Sequence, residues 1–157
     1  MDHLPALHRA LRAVPAGGRV LCLDDAPAAR SLAASRGDSV VEHRGADLPF
    51  APGEFLAAIA PEPFPLGSAE AFETRCGQLC GVAERYVVIG CRHVLPPWGG
   101  GARRRHRTVE RAFAAHGWRP LARAARRFLL DPYWVYVFAR FGPELPARPS
   151  GLPRRPV

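Results

Sequence analysis

The stretch Arg19-Val-Leu-Cys-Leu-Asp-Asp-Ala-Pro-Ala-Ala-Arg-Ser-Leu-Ala-Ala-Ser-Arg-Gly-Asp-Ser-Val-Val-Glu-His43 decides the fold. Its first residues, Arg19 to Asp24, are a short apolar run with Gly17-Gly18 before it and Asp25-Ala-Pro27 after it. A run of that length between turn signals predicts a buried strand of a parallel sheet. Pro27 suits a first helical turn and Gly37 suits the residue just past a helix end, so a helix is expected from Pro27 to Arg36. Ser39 to His43 is a second short strand, and Leu56-Ala-Ala-Ile-Ala60 is a third. Strand, helix and strand within about 30 residues make a right-handed crossover unit.

Between the second and third strands lies Ala46-Asp-Leu-Pro-Phe-Ala-Pro-Gly-Glu-Phe55. This segment resembles the aspartate, Leu-Pro-Phe and Gly-x-Phe-Asp signature of class I S-adenosylmethionine-dependent methyltransferases. Val20 to Asp24 sits where that family has its first strand, and the likeness runs to about Arg140. The resemblance implies an α/β fold of Rossmann-like methyltransferase type: a mostly parallel sheet closed by a C-terminal antiparallel hairpin. It also implies S-adenosylmethionine as cofactor and methyl transfer to a small-molecule acceptor.

Three departures accompany the resemblance. The family's glycine-rich turn after the first strand is replaced here by Asp24, Asp25, Ala26, Pro27 and Ala28. Side chains occupy space that backbone N–H groups would use to approach a cofactor, and Pro27 removes one donor. Asp24 and Asp25 can face the cationic methionine end, or Asp25 can simply cap the following helix. One strand–helix pair is missing, so the cofactor half is shortened, and Glu42 is the only acid near the position that holds the ribose in the family. Asp47, beside Leu48, is the candidate for the adenine contact, although Arg44 fits that position too. The family's aspartate after the phenylalanine is also absent, because Phe55 is followed by Leu56.

The loop after the third strand, Pro61-Glu-Pro-Phe-Pro-Leu-Gly67, falls at the strand end where doubly wound sheets bind ligands. Glu62, in that loop, and His93, after the fourth strand (Ala83 to Gly90), are the candidates for deprotonating an acceptor. Ser68 begins a helix that places Phe72, Cys76, Leu79 and Cys80 on one face. Cys76, Cys80, Cys91 and His93 offer donors of the kind zinc takes, but a helix-face pair on the apolar stripe reads better as buried free thiols, so no metal is expected.

Composition sets the outer limits. The chain has 157 residues and 48% apolar content, which suits one domain with a core. No run approaches the roughly 20 apolar residues of a membrane span. The first residues lack a secretory pattern, and four cysteines are too few for a disulfide scaffold, so a cytoplasmic protein is expected. The net charge of +8 comes entirely from arginine: there is no lysine. Much of that charge reflects the alanine-, glycine- and proline-rich composition of the chain and is no specific sign of nucleic-acid binding.

His3 to Ala13 carries Leu4, Leu7 and Leu11 at helical spacing and should lie on the sheet. His93 to Arg107, with Trp98, three glycines and Arg103-Arg-Arg-His-Arg107, reads as a mobile basic loop that can meet an RNA or protein partner. Val109 to His116 is a helix stopped by Gly117. Leu121 to Leu130 and Tyr133 to Arg140 pair as the final hairpin, and 141–157 is a proline- and arginine-rich tail, disordered or extended. Two functional readings follow: a methyltransferase, or a catalytically inactive methyltransferase-like scaffold that binds a partner through Arg103–Arg107. A sheet that has lost an edge element can also form a homodimer to cover it.

Overall fold

The computed structural model describes residues 4–23, 26–63, 69–92, 101–126 and 133–140. The elements in chain order are α1 (Leu4–Leu11), β1 (Arg19–Leu23), α2 (Pro27–Ser35), β2 (Ser39–His43) and β3 (Phe55–Pro63). They continue with α3 (Ala69–Val82), β4 (Ala83–Arg92), α4 (Gly101–Ala114), β5 (Trp118–Arg126) and β6 (Tyr133–Arg140). The strands form one six-stranded sheet in the order β2-β1-β3-β4-β6-β5. β2, β1, β3 and β4 are parallel, and β6 enters antiparallel between β4 and β5. The expected Rossmann-like sheet with its antiparallel closing pair is what the chain adopts, and it is one strand–helix pair short at the β2 side.

Alternation along each strand splits the core into two layers. Leu21, Leu23, Ala58, Ala60, Val87, Ile89, Tyr136 and Phe138 face α3 and α4, where they meet Phe72, Cys76, Leu79, Cys80, Val109 and Phe113. Val20, Cys22, Ala57, Ile59, Val88, Val135 and Val137 face Leu7 and Leu11 of α1 and Ala29 of α2. Phe113 stacks on Phe138 at 4.0 Å between ring centroids, fixing α4 over β6. At the opening of β1, Asp38 accepts hydrogen bonds from the Gly17 and Gly18 N–H groups at 2.7 and 3.3 Å. That carboxylate ties the starts of β1 and β2 together.

Several boundaries differ from the sequence reading. The basic segment assigned to a loop is helical from Gly101 onward. His106, Val109 and Phe113, three and four residues apart, are all buried, and that apolar stripe extends the helix back through the arginines, which are good helix formers. β3 continues through Pro61, Glu62 and Pro63, not into a loop, with a register break between Ala60 and Pro63 that accommodates the missing donors. β5 begins at Trp118, three residues earlier than expected, because Trp118 is fully buried. Pro120 is tolerated there because β5 is an edge strand, and the register breaks at that proline. The N-cap of α2 falls on Ala26, not Asp25, and has no side-chain hydrogen bond. Ser68, residues 127–132 and residues 141–157 lie outside the described residues.

Candidate active site at the carboxyl edge of the sheet

The carboxyl ends of β1, β2 and β3 lie side by side, since Leu23 is level with His43 and Cys22 with Ile59. Ala26, beyond β1, is buried and its carbonyl accepts the Arg30 N–H at 3.0 Å, so it opens α2. Ala28 is exposed in the first turn of α2, at the end where helix N–H groups lack partners. Asp24 and Asp25 lie outside the described residues.

The segment after β2 is held by its own backbone. His43 Nε2 pairs with the Asp47 carbonyl at 2.7 Å, and the His43 ring meets Phe50 edge-on at 5.3 Å. Arg75 of α3 donates to the Gly45 and Ala46 carbonyls at 3.3 and 3.2 Å. Gly45, at φ +114, supplies the conformation that lets both carbonyls turn toward that one guanidinium. As a result the Asp47 side chain is exposed while Leu48 is half-buried against the main core. An exposed acid and a half-buried apolar residue thus stand in sequence just beyond the end of β2.

Glu42, the remaining acid of this edge, forms an ion pair with Arg30 at 3.1 Å. Both side chains are about half exposed, at 51% and 44%. Exposed pairs of this kind are worth about 0–1 kcal/mol, so Arg30 holds Glu42 only weakly. Among the described residues, Glu42, Asp47 and Leu48 are those near this edge that could hold the adenosine end of a nucleoside cofactor. At its other end, the side chains of Ala26 and Ala28 stand where a glycine turn would leave room.

Across the sheet, Ala60 is level with Ile89, Ile89 with Tyr136, and Tyr136 with Arg123. With strands about 4.8 Å apart, Tyr136 stands roughly 14 Å from Leu23 on the same face of the sheet. There it forms a hydrogen bond with His106 Nδ1 of α4. His106 is 9% exposed and is the one buried polar or charged residue among the described residues. Its ring also packs edge-to-face on Trp134 at 4.5 Å, and Arg123 lies over that Trp134 ring while reaching Glu110 at 3.8 Å. Burial, and then the Arg123 charge, lower the His106 pKa below its ordinary value; burial raises that of Tyr136. A neutral imidazole held in place by a phenol is equipped to take up a proton. Sequence reasoning missed this pair because His106 was read as part of a loop. The signal that could have found it is the i, i+3, i+7 spacing of His106, Val109 and Phe113.

The two residues first assigned to proton transfer fall differently. Glu62 lies near the end of β3, with its side chain outside the described part, and His93 lies outside the described residues altogether. Cys22, Cys76, Cys80 and Cys91 are all free and buried. Desolvation pushes the Cys22, Cys80 and Cys91 thiols up to about 12, and Cys76 is raised further by its thiol neighbours as well. Among the described residues no three potential ligands gather around one point for a metal ion.

A parallel β2-β1-β3-β4 sheet with β6 inserted antiparallel beside β4, and a ligand edge at the strand ends, defines the fold of class I S-adenosylmethionine-dependent methyltransferases. The chain is similar in structure to magnesium protoporphyrin IX methyltransferase (ChlM) of Synechocystis PCC 6803 with bound S-adenosylhomocysteine, at 9% identity and a TM-score of 0.59, over 88% of this chain and 82% of that one. It is also similar to the 1,6-didemethyltoxoflavin N1-methyltransferase of Burkholderia thailandensis, solved with that compound and S-adenosylhomocysteine, at 12% identity and a TM-score of 0.59, over 88% and 77% of the two chains. The cyclase SpnF shares the fold at 12% identity and a TM-score of 0.58, over 87% and 80%. No family model matches the sequence, and no curated protein matches it. These likenesses, all far below the identity at which activity carries over, concern the fold.

Proposed function

We propose that the chain binds S-adenosylmethionine across the carboxyl ends of β1 and β2 and passes its methyl group to a small-molecule acceptor seated toward β4 and β6. The observation that carries this reading is the methyltransferase strand order with two exposed acids, Glu42 and Asp47, at and just beyond the carboxyl end of β2. The structural neighbours crystallised with S-adenosylhomocysteine support the choice of cofactor. When bound, that cofactor supplies a methyl group on a sulfonium, which needs only an aligned nucleophile. The protein's part is mainly positioning, a term that can reach about 7–11 kcal/mol of a barrier. Glu42 holds the ribose hydroxyls, Asp47 the base amino group, and Leu48 packs on the ring. Ala26 and Ala28, with Asp24 and Asp25 outside the described residues, would be the contacts of the methionine end. An acceptor that loses a proton on methylation would give it to His106, whose imidazole Tyr136 orients, or to Glu62 or His93, whose side chains lie outside the described residues. Calorimetric titration of the purified chain with S-adenosylmethionine tests the reading. Submillimolar binding is expected, and absence of heat up to millimolar cofactor overturns it.

A second reading has one observation in its favour: alanines, not glycines, at positions 26 and 28. On this reading the chain is a catalytically inactive scaffold that meets an RNA or protein partner through the Arg103–Arg107 segment, which opens α4. Salt-sensitive RNA binding together with no cofactor heat would select it.

A further inference from the structure

We infer that the β5 end of the molecule is a docking surface for single-stranded nucleic acid, formed by a band of arginines that crosses the sheet edge from α1 to α4. The band takes in the end of the Arg103–Arg107 segment, but the inference holds whether or not the cofactor binds.

The positive charge is unevenly placed. α1, α4, β5 and β6 hold ten arginines and one acid, Glu110, whereas β1, α2, β2, β3, α3 and β4 hold five arginines and five acids. An arginine-rich composition by itself would not strip the acids from one set of elements and leave them in the other. α1 lies far from the other three along the chain, and the fold gathers them around β6 and β5, which close one end of the sheet. On one face, Arg9 of α1 donates to the Ala125 carbonyl of β5 at 2.7 Å. On the other, Arg123 of β5 reaches Glu110 of α4 at 3.8 Å. Arg107, three residues before Glu110, shares that side of the helix. Arg9, Arg12, Arg107, Arg119 and Arg123 are all exposed.

Guarding an edge strand against pairing needs charge on β5 alone, yet the band continues over the helices on both faces. Like charges crowded in this way repel one another, and a polyanion relieves that repulsion. The shape and the chemistry name the polyanion. A bilayer is flat and takes up apolar side chains, whereas this band bends round a sheet edge. Leu4 is the one exposed large hydrophobic among the described residues. A single strand, unlike a stiff duplex, can follow the bend and bring phosphates to successive guanidiniums. Arg123 lies over the Trp134 ring at 5.5 Å from its centroid, and its side chain is 39% exposed. A guanidinium seated on an indole offers its outer face to a base, a contact that an acidic peptide does not use.

Fluorescence anisotropy of a labelled oligouridylate of about 20 nucleotides, longer than one binding site, tests this with the full chain and no cofactor. Between about 50 and 200 mM salt the affinity should fall roughly sixtyfold, the slope of about −3 that roughly four or five phosphate contacts give. Arg12→Gln and Arg119→Gln should each flatten that slope by about 0.7, the share of one phosphate. Arg19→Gln, whose side chain pairs with Glu54 at 3.1 Å on the balanced half, should leave it unchanged. No binding at about 50 mM salt overturns the inference. So do Arg12 and Arg119 variants that keep the wild-type slope, an equal loss in Arg19→Gln, or a preference for anionic vesicles over the oligonucleotide. Because no cofactor is present, this result and the calorimetric one fail separately.

Discussion

The hydroxyl of Tyr133 passes over Gly90 and donates a hydrogen bond to the carbonyl of Pro61, joining β6 to β3 across the intervening β4. Gly90 makes the crossing possible, because a Cβ there would collide with both the hydroxyl and the carbonyl. The contact holds the break in β3 register immediately before Glu62, at the edge where ligands are expected. Tyr133 is fully buried, so its hydroxyl has no water to fall back on.

Gly90→Ala should therefore be far more damaging than an average strand substitution. It forces Tyr133 out of a packed site, a strain of about 1–3 kcal/mol, and orphans a buried hydroxyl at a similar cost. Tyr133→Phe removes only the hydroxyl and should cost about 1–2 kcal/mol. Denaturant midpoints of the three proteins check the order.

His106 should make stability fall on mild acidification. Its folded pKa lies below the ordinary 6.5, first through burial and then through Arg123. Below that value the unfolded chain takes up the proton more readily than the folded one. The contribution is complete above pH 6.5 and is lost as pH drops through the folded pKa. His106→Gln should flatten the slope between neutral pH and about pH 5, as read from thermal unfolding.

Removing the carboxylate of Glu42 tests the cofactor edge without touching the core, since its side chain is 44% exposed. Glu42→Gln should leave stability within about 0.5 kcal/mol, because an exposed ion pair contributes little. It should weaken S-adenosylmethionine binding about tenfold, the value of one charge-assisted hydrogen bond of roughly 1.4 kcal/mol. Asp47→Asn should act in the same direction, and Glu70→Gln on the exposed start of α3 serves as the neutral control. Titration calorimetry of the three variants decides.

The thiols should be inert while the chain is folded. Cys22, Cys80 and Cys91 are pushed up to about 12 by burial, so at pH 8 almost no thiolate exists. A disulfide reagent should label none of the four cysteines in the native protein and all four in denaturant. Fast native labelling at Cys76, Cys80 or Cys91 would contradict the packing of α3 against β4, and at Cys22 the packing of α1 and α2 on the sheet.

Much of the fold was readable because periodicity and turn chemistry agree. Arg19–His43 announced strand, helix and strand, and the bounds of β2 and β6 coincide with the apolar runs that define them. The bounds of α4 and β5 did not come through, because glycines and prolines nearby suggested loops. Burial of His106 and Trp118 overrode that local signal, since a side chain removed from water fixes the backbone that carries it. The candidates for the site came from two sources. Leu48 and Asp47 were named from the Leu-Pro-Phe segment, whereas His106 and Tyr136, 30 residues apart, meet only through the packing of α4 on β6.

By itself, the sequence determined the class of sheet and the loss of a strand–helix pair. Each is written in local patterns of hydrophobicity and turn residues. Only the tertiary structure decided what closes the carboxyl edge of the sheet: Arg75 on the Gly45 and Ala46 carbonyls, Tyr133 on Pro61, Arg30 on Glu42. Such partners lie far apart along the chain and meet by the crossing of elements, a relation that a one-dimensional pattern does not encode.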